Sequence, residues 1–226
     1  MKNVLCLLLF SGINFVQAQN NLHLKFSPEF KNVLLNTDSL YLTSKGDSIR
    51  ISSFRMYVSS IEVIYKNGII FKEKNSYHLL DLDEKASFEI QLSAPKEEIQ
   101  KIIFSLGVDS TASVSGALGG DLDPGKGMYW AWQSGYVNFK MEGTSPTCNT
   151  HKNEFGFHVG GYLHPYYALR TLVLPVQNIS GNTLEIKIDI AQLFEKINLS
   201  KSNSIMIPGK EAMQIADNFA TIFSVK

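Results

Sequence analysis

Two short segments of the sequence contain the residue types that could bind a metal. The first holds both tryptophans of the chain, Trp130 and Trp132, shortly after Met128. The second holds His158 between Gly156 and Gly160, which leave space around the imidazole for a close ligand. Imidazole and thioether donors suit copper better than magnesium or calcium. These residues are therefore candidate ligands of a copper site, provided that the fold brings them together.

The same residues also have a structural interpretation. A strand over 128–132 would place Met128, Trp130 and Trp132 on one face, where aromatic side chains commonly fill a β core. A single histidine in a strand is also more often structural than a ligand. The residues themselves leave both interpretations open.

Three further residues are of types that bind metals, but the sequence around them does not support a metal site. Asp121 and Asp123 resemble part of a calcium loop but lack the flanking EF-hand ligands, and an Asx turn before Pro124 explains them. Cys148 begins a Cys-x-x-His pair, which is half of a zinc motif without its second half. We expect Cys148 to be a buried thiol.

The sequence contains none of the standard enzyme signatures. There is no G-x-S-x-G elbow, phosphate-binding loop, dinucleotide fingerprint or H-E-x-x-H motif. A hydrolase would need a serine, a histidine and an acid that the fold alone brings together. We therefore expect a binding protein and not an enzyme.

Strand patterns predict the elements that must position these residues. Leu22, Leu24 and Phe26 alternate with polar residues, as in a half-buried strand, and similar patterns recur up to residue 190. Asn67-Gly68 predicts a tight hairpin. A loop with six glycines spans 107–127. Helical patterns follow over 191–197 and 212–223. The sequence thus predicts an all-β, two-sheet β-sandwich with a long glycine-rich loop and a C-terminal helix.

The N-terminus has the features of a secretory signal. Lys2 precedes an apolar run over 4–10, and Val16-Gln17-Ala18 resembles a cleavage site. The run is shorter than a membrane-spanning helix. We expect cleavage near Ala18, a mature domain over 19–226, and a periplasmic or secreted protein.

Charge argues against two classes of partner. Without residues 1–18 the chain has 20 basic and 21 acidic residues, because Lys2 is the single charge removed. A balanced charge gives no electrostatic footprint for nucleic acid, and no segment predicts a membrane span.

Three sequence blocks resemble the MbnP-like copper-binding family. They are Gly119–Tyr136 with its Met-Tyr-Trp-Ala-Trp core, Asn153–Tyr162 with its Phe-Gly-Phe-His-Val-Gly-Gly core, and the Arg55-x-Tyr57-x-Ser59-x-Ile61 strand. The likeness covers about residues 21–223. This chain differs in having Met128 where several members place a histidine, and in having one histidine, His23, in its first strand.

The resemblance implies a β-sandwich that binds copper through histidines and a tryptophan oxidised to kynurenine. His158 and His23 would be the imidazole ligands, and Trp130, in preference to Trp132, would be the oxidised side chain. A diheme cytochrome c peroxidase-like enzyme would be the partner that oxidises it. The alternative is a metal-free surface module that binds carbohydrate or protein through exposed aromatic residues. Exposed indole faces, and a His23–His158 separation too large for one metal, would favour that alternative.

Overall fold

The computed structural model describes residues 21–133, 135–177, 179 and 181–226. Within them, two sheets pack against each other around one main hydrophobic core, which confirms the predicted all-β sandwich with a C-terminal helix. The predicted signal peptide, residues 1–18, lies outside the described residues. Among the helices that are described, none has the length and apolar character needed to cross a bilayer.

The smaller sheet contains five strands built around β1. β1 pairs with β15 in parallel and with β2 and β7 in antiparallel orientation, and β15 also pairs with β17. The bounds of these strands are β1 Leu22–Phe30, β2 Val33–Leu34, β7 Glu89–Leu92, β15 Thr183–Asp189 and β17 Phe223–Val225.

The larger sheet is built around β4, a strand of 18 residues. β4 pairs with β3, β5, β6, β8 and β10; β8 continues to β14, and β10 continues to β11 and β16. The bounds are β3 Leu40–Leu42, β4 Ser48–Tyr65, β5 Ile70–Lys72, β6 Tyr77–Asp81, β8 Ile99–Leu106, β9 Tyr129–Trp130, β10 Gly135–Thr144, β11 Glu154–Gly160, β14 Arg170–Pro175 and β16 Ser204–Ile205. A separate ribbon pairs β12 Tyr162–Leu163 with β13 Tyr166–Tyr167. The predicted Asn67-Gly68 turn joins β4 to β5.

The helices are short. They are α1 Ser110–Val114, α2 Ile190–Lys196 and α3 Lys210–Ala220, with 3-10 turns at Lys85–Phe88, Gly120–Leu122 and Pro124–Lys126. α3 packs on the sandwich as predicted, since the ring of Phe219 stacks 4.0 Å from that of Phe139 on β10. The prediction that this helix reaches residue 223 is wrong, because Phe223 begins strand β17.

The main core lies between the inner faces of the two sheets. Alternation along β1 buries Leu24 and Phe26, and the ring of Phe26 meets that of Phe104 on β8 edge to face at 5.6 Å. On the larger sheet, Phe157 and Val159 of β11 belong to the same core. Polar residues that alternate with these side chains are therefore directed to the two outer faces of the sandwich.

The glycine-rich segment 107–127 packs on the outer face of the larger sheet. It holds α1 and two 3-10 turns, and together with β9 it buries a second, smaller hydrophobic core. The members of this second core are Tyr57, Leu79, Val108, Ala112, Leu122, Met128, Trp130, Tyr136 and Val137. A segment predicted as a loop is thus a cover with its own buried contacts.

Three alternate residues of β4 attach this cover to the sheet. Each donates a hydrogen bond to a main-chain carbonyl of the glycine-rich segment: Arg55 Nη1 to that of Lys126 at 3.2 Å, Tyr57 Oη to that of Asp121 at 2.9 Å, and Ser59 Oγ to that of Gly107 at 2.7 Å. Burial raises the pKa of Tyr57 above its usual value. The phenol therefore stays protonated and able to donate a hydrogen bond. The Arg-x-Tyr-x-Ser pattern therefore fixes the cover at three points.

We predict that Tyr57→Phe loosens the cover. The substitution leaves the Asp121 carbonyl without its donor, and an unsatisfied buried group costs about 1–3 kcal/mol of unfolding free energy. Denaturant unfolding should show this loss, and hydrogen exchange should rise over 118–128. Tyr65→Phe is the matched control, because it removes a hydroxyl that donates to Pro95 O, outside the cover. Unchanged exchange over 118–128 in Tyr57→Phe would contradict the anchoring role.

Candidate metal centre

His158 lies on the outer face of the larger sheet. Its neighbours Phe157 and Val159 are buried in the main core, so the imidazole between them is directed outwards. Its Nε2 atom lies 2.7 Å from Oε1 of Glu142, which stands on the adjacent strand β10. Lys140, the direct cross-strand partner of His158, lies 3.4 Å from the same carboxylate.

The surroundings of His158 favour a neutral imidazole. Burial lowers its pKa below the ordinary imidazole value, against the opposing effect of the Glu142 carboxylate. Burial acts to raise the pKa of Glu142, but the hydrogen bond from His158 and the charge of Lys140 bring it below its usual value. An ionised carboxylate only accepts hydrogen bonds, so a neutral His158 donates through Nε2 and keeps an unprotonated Nδ1. A histidine held in this way by a carboxylate is a common arrangement for metal ligands.

Each of the two glycines that flank His158 makes room for one specific side chain. A Cβ atom on Gly160 would lie 2.5 Å from the main-chain oxygen of Tyr136 and 2.8 Å from Cζ3 of Trp130, so β10 and the indole together exclude a side chain there. A Cβ atom on Gly156 would lie 2.6 Å from Cε of Met206. Residues 156, 158 and 160 share a strand face, so the imidazole has an indole on one side and a thioether on the other.

Met206 reaches this face from the residue that follows the adjacent strand. β16 runs parallel to β11 with Ile205 beside Phe157 and ends there, and the side chain of the next residue, Met206, extends to Gly156. Ile205 is buried and Met206 is 42% exposed. The sequence prediction missed Met206 and Glu142. The spacing of Gly156 and Gly160 around His158 pointed to open space but not to the side chains that fill it.

The tryptophans differ in their environments. The predicted strand over 128–132 is wrong, because β9 ends at Trp130 and Trp132 lies in the turn that leads to β10. Trp130 is 8% exposed and belongs to the second core, whereas Trp132 is 64% exposed. Their ring centroids lie 5.6 Å apart. Met128 is fully buried in the second core, as the core-filling interpretation predicts.

His23 and His158 are not brought together. His23 is exposed on β1 of the smaller sheet, between Leu22 and Leu24, which face the main core. Its side chain is therefore directed to the outer face opposite that of His158. One metal ion in a single chain cannot contact both imidazoles.

The remaining metal candidates have structural roles. Asp123 accepts from Gly125 N at 2.7 Å, which confirms the Asx turn, and Asp121 accepts from Leu79 N and from Lys126 Nζ. Cys148 is buried as predicted, and burial raises its pKa. In the described part of the chain, no three histidine, cysteine or carboxylate side chains converge on one point. The donors that remain beside His158 are a thioether and a carboxylate, and imidazole with thioether fits copper.

An aromatic cleft adjoins the exposed tryptophan. It has a volume of about 420 Å³ and is lined by Trp132, Gln133, Gly161, Leu163, His164, Pro165, Tyr166, Ile207 and Pro208. None of these residues carries a permanent charge. The cleft therefore combines an exposed indole with uncharged polar and apolar side chains.

Comparisons with known proteins agree with this architecture. The model of the MbnP family matches residues 19–207. The solved structure of MbnP from Methylosinus trichosporium is similar with a TM-score of 0.68 and 17% sequence identity, over 91% of this chain and 98% of that one. No curated protein matches the chain by sequence. The fold is thus shared with MbnP, and the family match extends over most of the chain. This chain belongs to the MbnP family.

Proposed function

We propose that this protein is an exported copper-binding protein that is not itself an enzyme. The observation that carries the proposal is the position of His158: its imidazole is oriented by Glu142 and lies on one strand face with the glycine that receives Trp130. Family membership and the predicted secretory signal support it.

The residues around His158 have distinct roles in this proposal. His158 supplies the imidazole ligand, and Glu142 fixes the ring orientation and the proton on Nε2. Bound copper would supply a soft cation beside the indole of Trp130. The cover packs Trp130 into the second core and so holds the ring next to this face. His23, on the opposite outer face, is not a ligand.

Trp130 is also the side chain that we propose to be oxidised to kynurenine. Its ring packs on Gly160, two residues from His158, whereas Trp132 is held in the exposed turn. The net change is the loss of one carbon, released as formate, and the gain of one oxygen atom. An external diheme cytochrome c peroxidase-like enzyme would catalyse the ring opening with two equivalents of hydrogen peroxide as the oxidant, and hydrolysis of the resulting N-formyl group would release the formate. Trp132, in ring contact with Trp130, faces the solvent from which that partner approaches.

We predict that His158→Gln reduces copper affinity by about 100-fold or more, because loss of a ligand should exceed the 10–100-fold effect of losing a supporting partner. Copper(I) titration against a chromophoric chelator measures the change in the mature chain. His23→Gln is the matched control, since it removes an imidazole from the opposite face, and should bind as the wild type does. Equal affinities for His158→Gln and the wild type would contradict the site.

A second prediction concerns the oxidised residue. Intact-mass and peptide-mass spectra of protein co-produced with the diheme enzyme should show the mass difference for kynurenine formation, one carbon lost and one oxygen gained, in the wild type and in Trp132→Phe. Trp130→Phe should lack it, because phenylalanine has no indole ring to open. A change that persists in Trp130→Phe and disappears in Trp132→Phe would reassign the modification to the exposed ring.

Two observations favour a second candidate function, a metal-free surface module that binds carbohydrate or protein: the exposure of Trp132 and the separation of His23 from His158 on opposite outer faces. An open indole face beside uncharged polar groups is suited to stacking against a sugar ring. Leu163 and Ile207, two exposed apolar residues, also line the cleft beside Trp132.

This alternative predicts binding that depends on Trp132 and not on His158. On an array of bacterial polysaccharides, the wild type and His158→Gln should bind alike, and Trp132→Ala should lose binding because the stacking surface is removed. Binding that is unaffected by Trp132→Ala would exclude the cleft as the binding surface.

A further inference from the structure

We infer that Met206 is a thioether ligand of copper(I) in the site that contains His158. This inference rests on the proposed function, and it names a ligand outside the three sequence blocks that resemble the family. It is drawn from the geometry around Gly156. At that glycine the Met206 methyl group lies where a side chain would otherwise stand.

Pairing of β16 with β11 brings the thioether to the strand that carries the imidazole. β16 pairs with β11 so that Ser204 lies beside Gly156 and Ile205 beside Phe157, and the main-chain N–H of Gly156 also donates to Asn203 O at 2.8 Å. Met206 directly follows this paired segment. Its side chain extends over Gly156, and Glu142 is the cross-strand partner of Gly156 on β10. Met206, Glu142 and His158 therefore surround one glycine.

The chemistry of these donors discriminates between metals. Thioethers are soft ligands that select copper(I), imidazole binds copper well, and hard cations such as magnesium or calcium require oxygen ligands. The Glu142 carboxylate is already engaged by His158 Nε2 and by Lys140. The donors left for a metal are thus one imidazole nitrogen and one sulfur atom.

The Met206 side chain is open to solvent. Met206 and Glu142 line a cleft of about 550 Å³ on this outer face, together with Gly156 and Glu154, and His158 stands two residues along the strand from that glycine. Met206 is 42% exposed, so an ion from solvent can reach its sulfur atom. A substitution at Gly156 would displace the methionine, since a Cβ there would be too close to it.

Met206→Leu tests the inference, because leucine keeps the approximate volume and removes the sulfur atom. In the mature full chain, copper(I) affinity measured by chelator competition should fall by about tenfold, and copper(II) affinity should change little, since thioethers prefer the softer ion. Met213→Leu is the matched control: Met213 is a partly buried methionine that packs against the main core from α3. It should bind copper(I) as the wild type does.

X-ray absorption at the copper edge provides a readout that does not depend on affinity. A sulfur shell should be present in the wild type and in Met213→Leu, and absent in Met206→Leu. If copper(I) binding requires His158 but Met206→Leu retains both affinity and the sulfur shell, the inference fails and the proposed function stands. If the wild type binds no copper(I), both fail.

Discussion

The hydrogen bonds from the outer face of β4 to the glycine-rich segment are the constraint on which the rest of the site depends. A segment with six glycines loses much conformational entropy when it becomes ordered. Arg55, Tyr57 and Ser59 bind its carbonyls at three separated points, which limits the arrangements that the segment can adopt. Between these points the segment buries its own apolar residues against the sheet. Together with the pairing of β9 with β10, this attachment holds Trp130 near β11.

The two glycines around His158 show how a site is built on a sheet face without a deep pocket. A strand residue normally has side chains two positions away on either side, which crowd its own. Gly156 and Gly160 remove both neighbours, and distant parts of the chain fill the two positions. Met206 comes from the residue after β16, and Trp130 comes from β9, which follows the cover. The imidazole is thereby flanked by groups that are far from it in sequence.

The sequence was sufficient to predict those features that depend on local patterns. Alternation predicted β1 and β11, Asn67-Gly68 predicted the hairpin, and Asp123 before Pro124 predicted the Asx turn. Patterns failed where contacts between distant segments decide the conformation. Trp132 fits the alternation of a strand, but the turn into β10 begins before it. The position of Met206 depends on parallel pairing of β16 with β11, for which a strand of two residues gives no periodic signal.

The separation of His23 from His158 follows from the sandwich itself. Leu24 on one sheet and Phe157 on the other must both face the main core, so the residues adjacent to them in sequence face away from it. Sheets in a sandwich lie about 10 Å apart, and the outward side chains of the two sheets point in opposite directions. Two strand histidines from different sheets therefore meet only if both occupy inward positions, where they would replace residues of the main core. The copper site that we propose lies instead on a single outer face, where neighbouring strands and a segment folded over them meet. The Arg-x-Tyr-x-Ser strand anchors that segment here, and this explains why this strand, the tryptophan block and the histidine block occur in one chain.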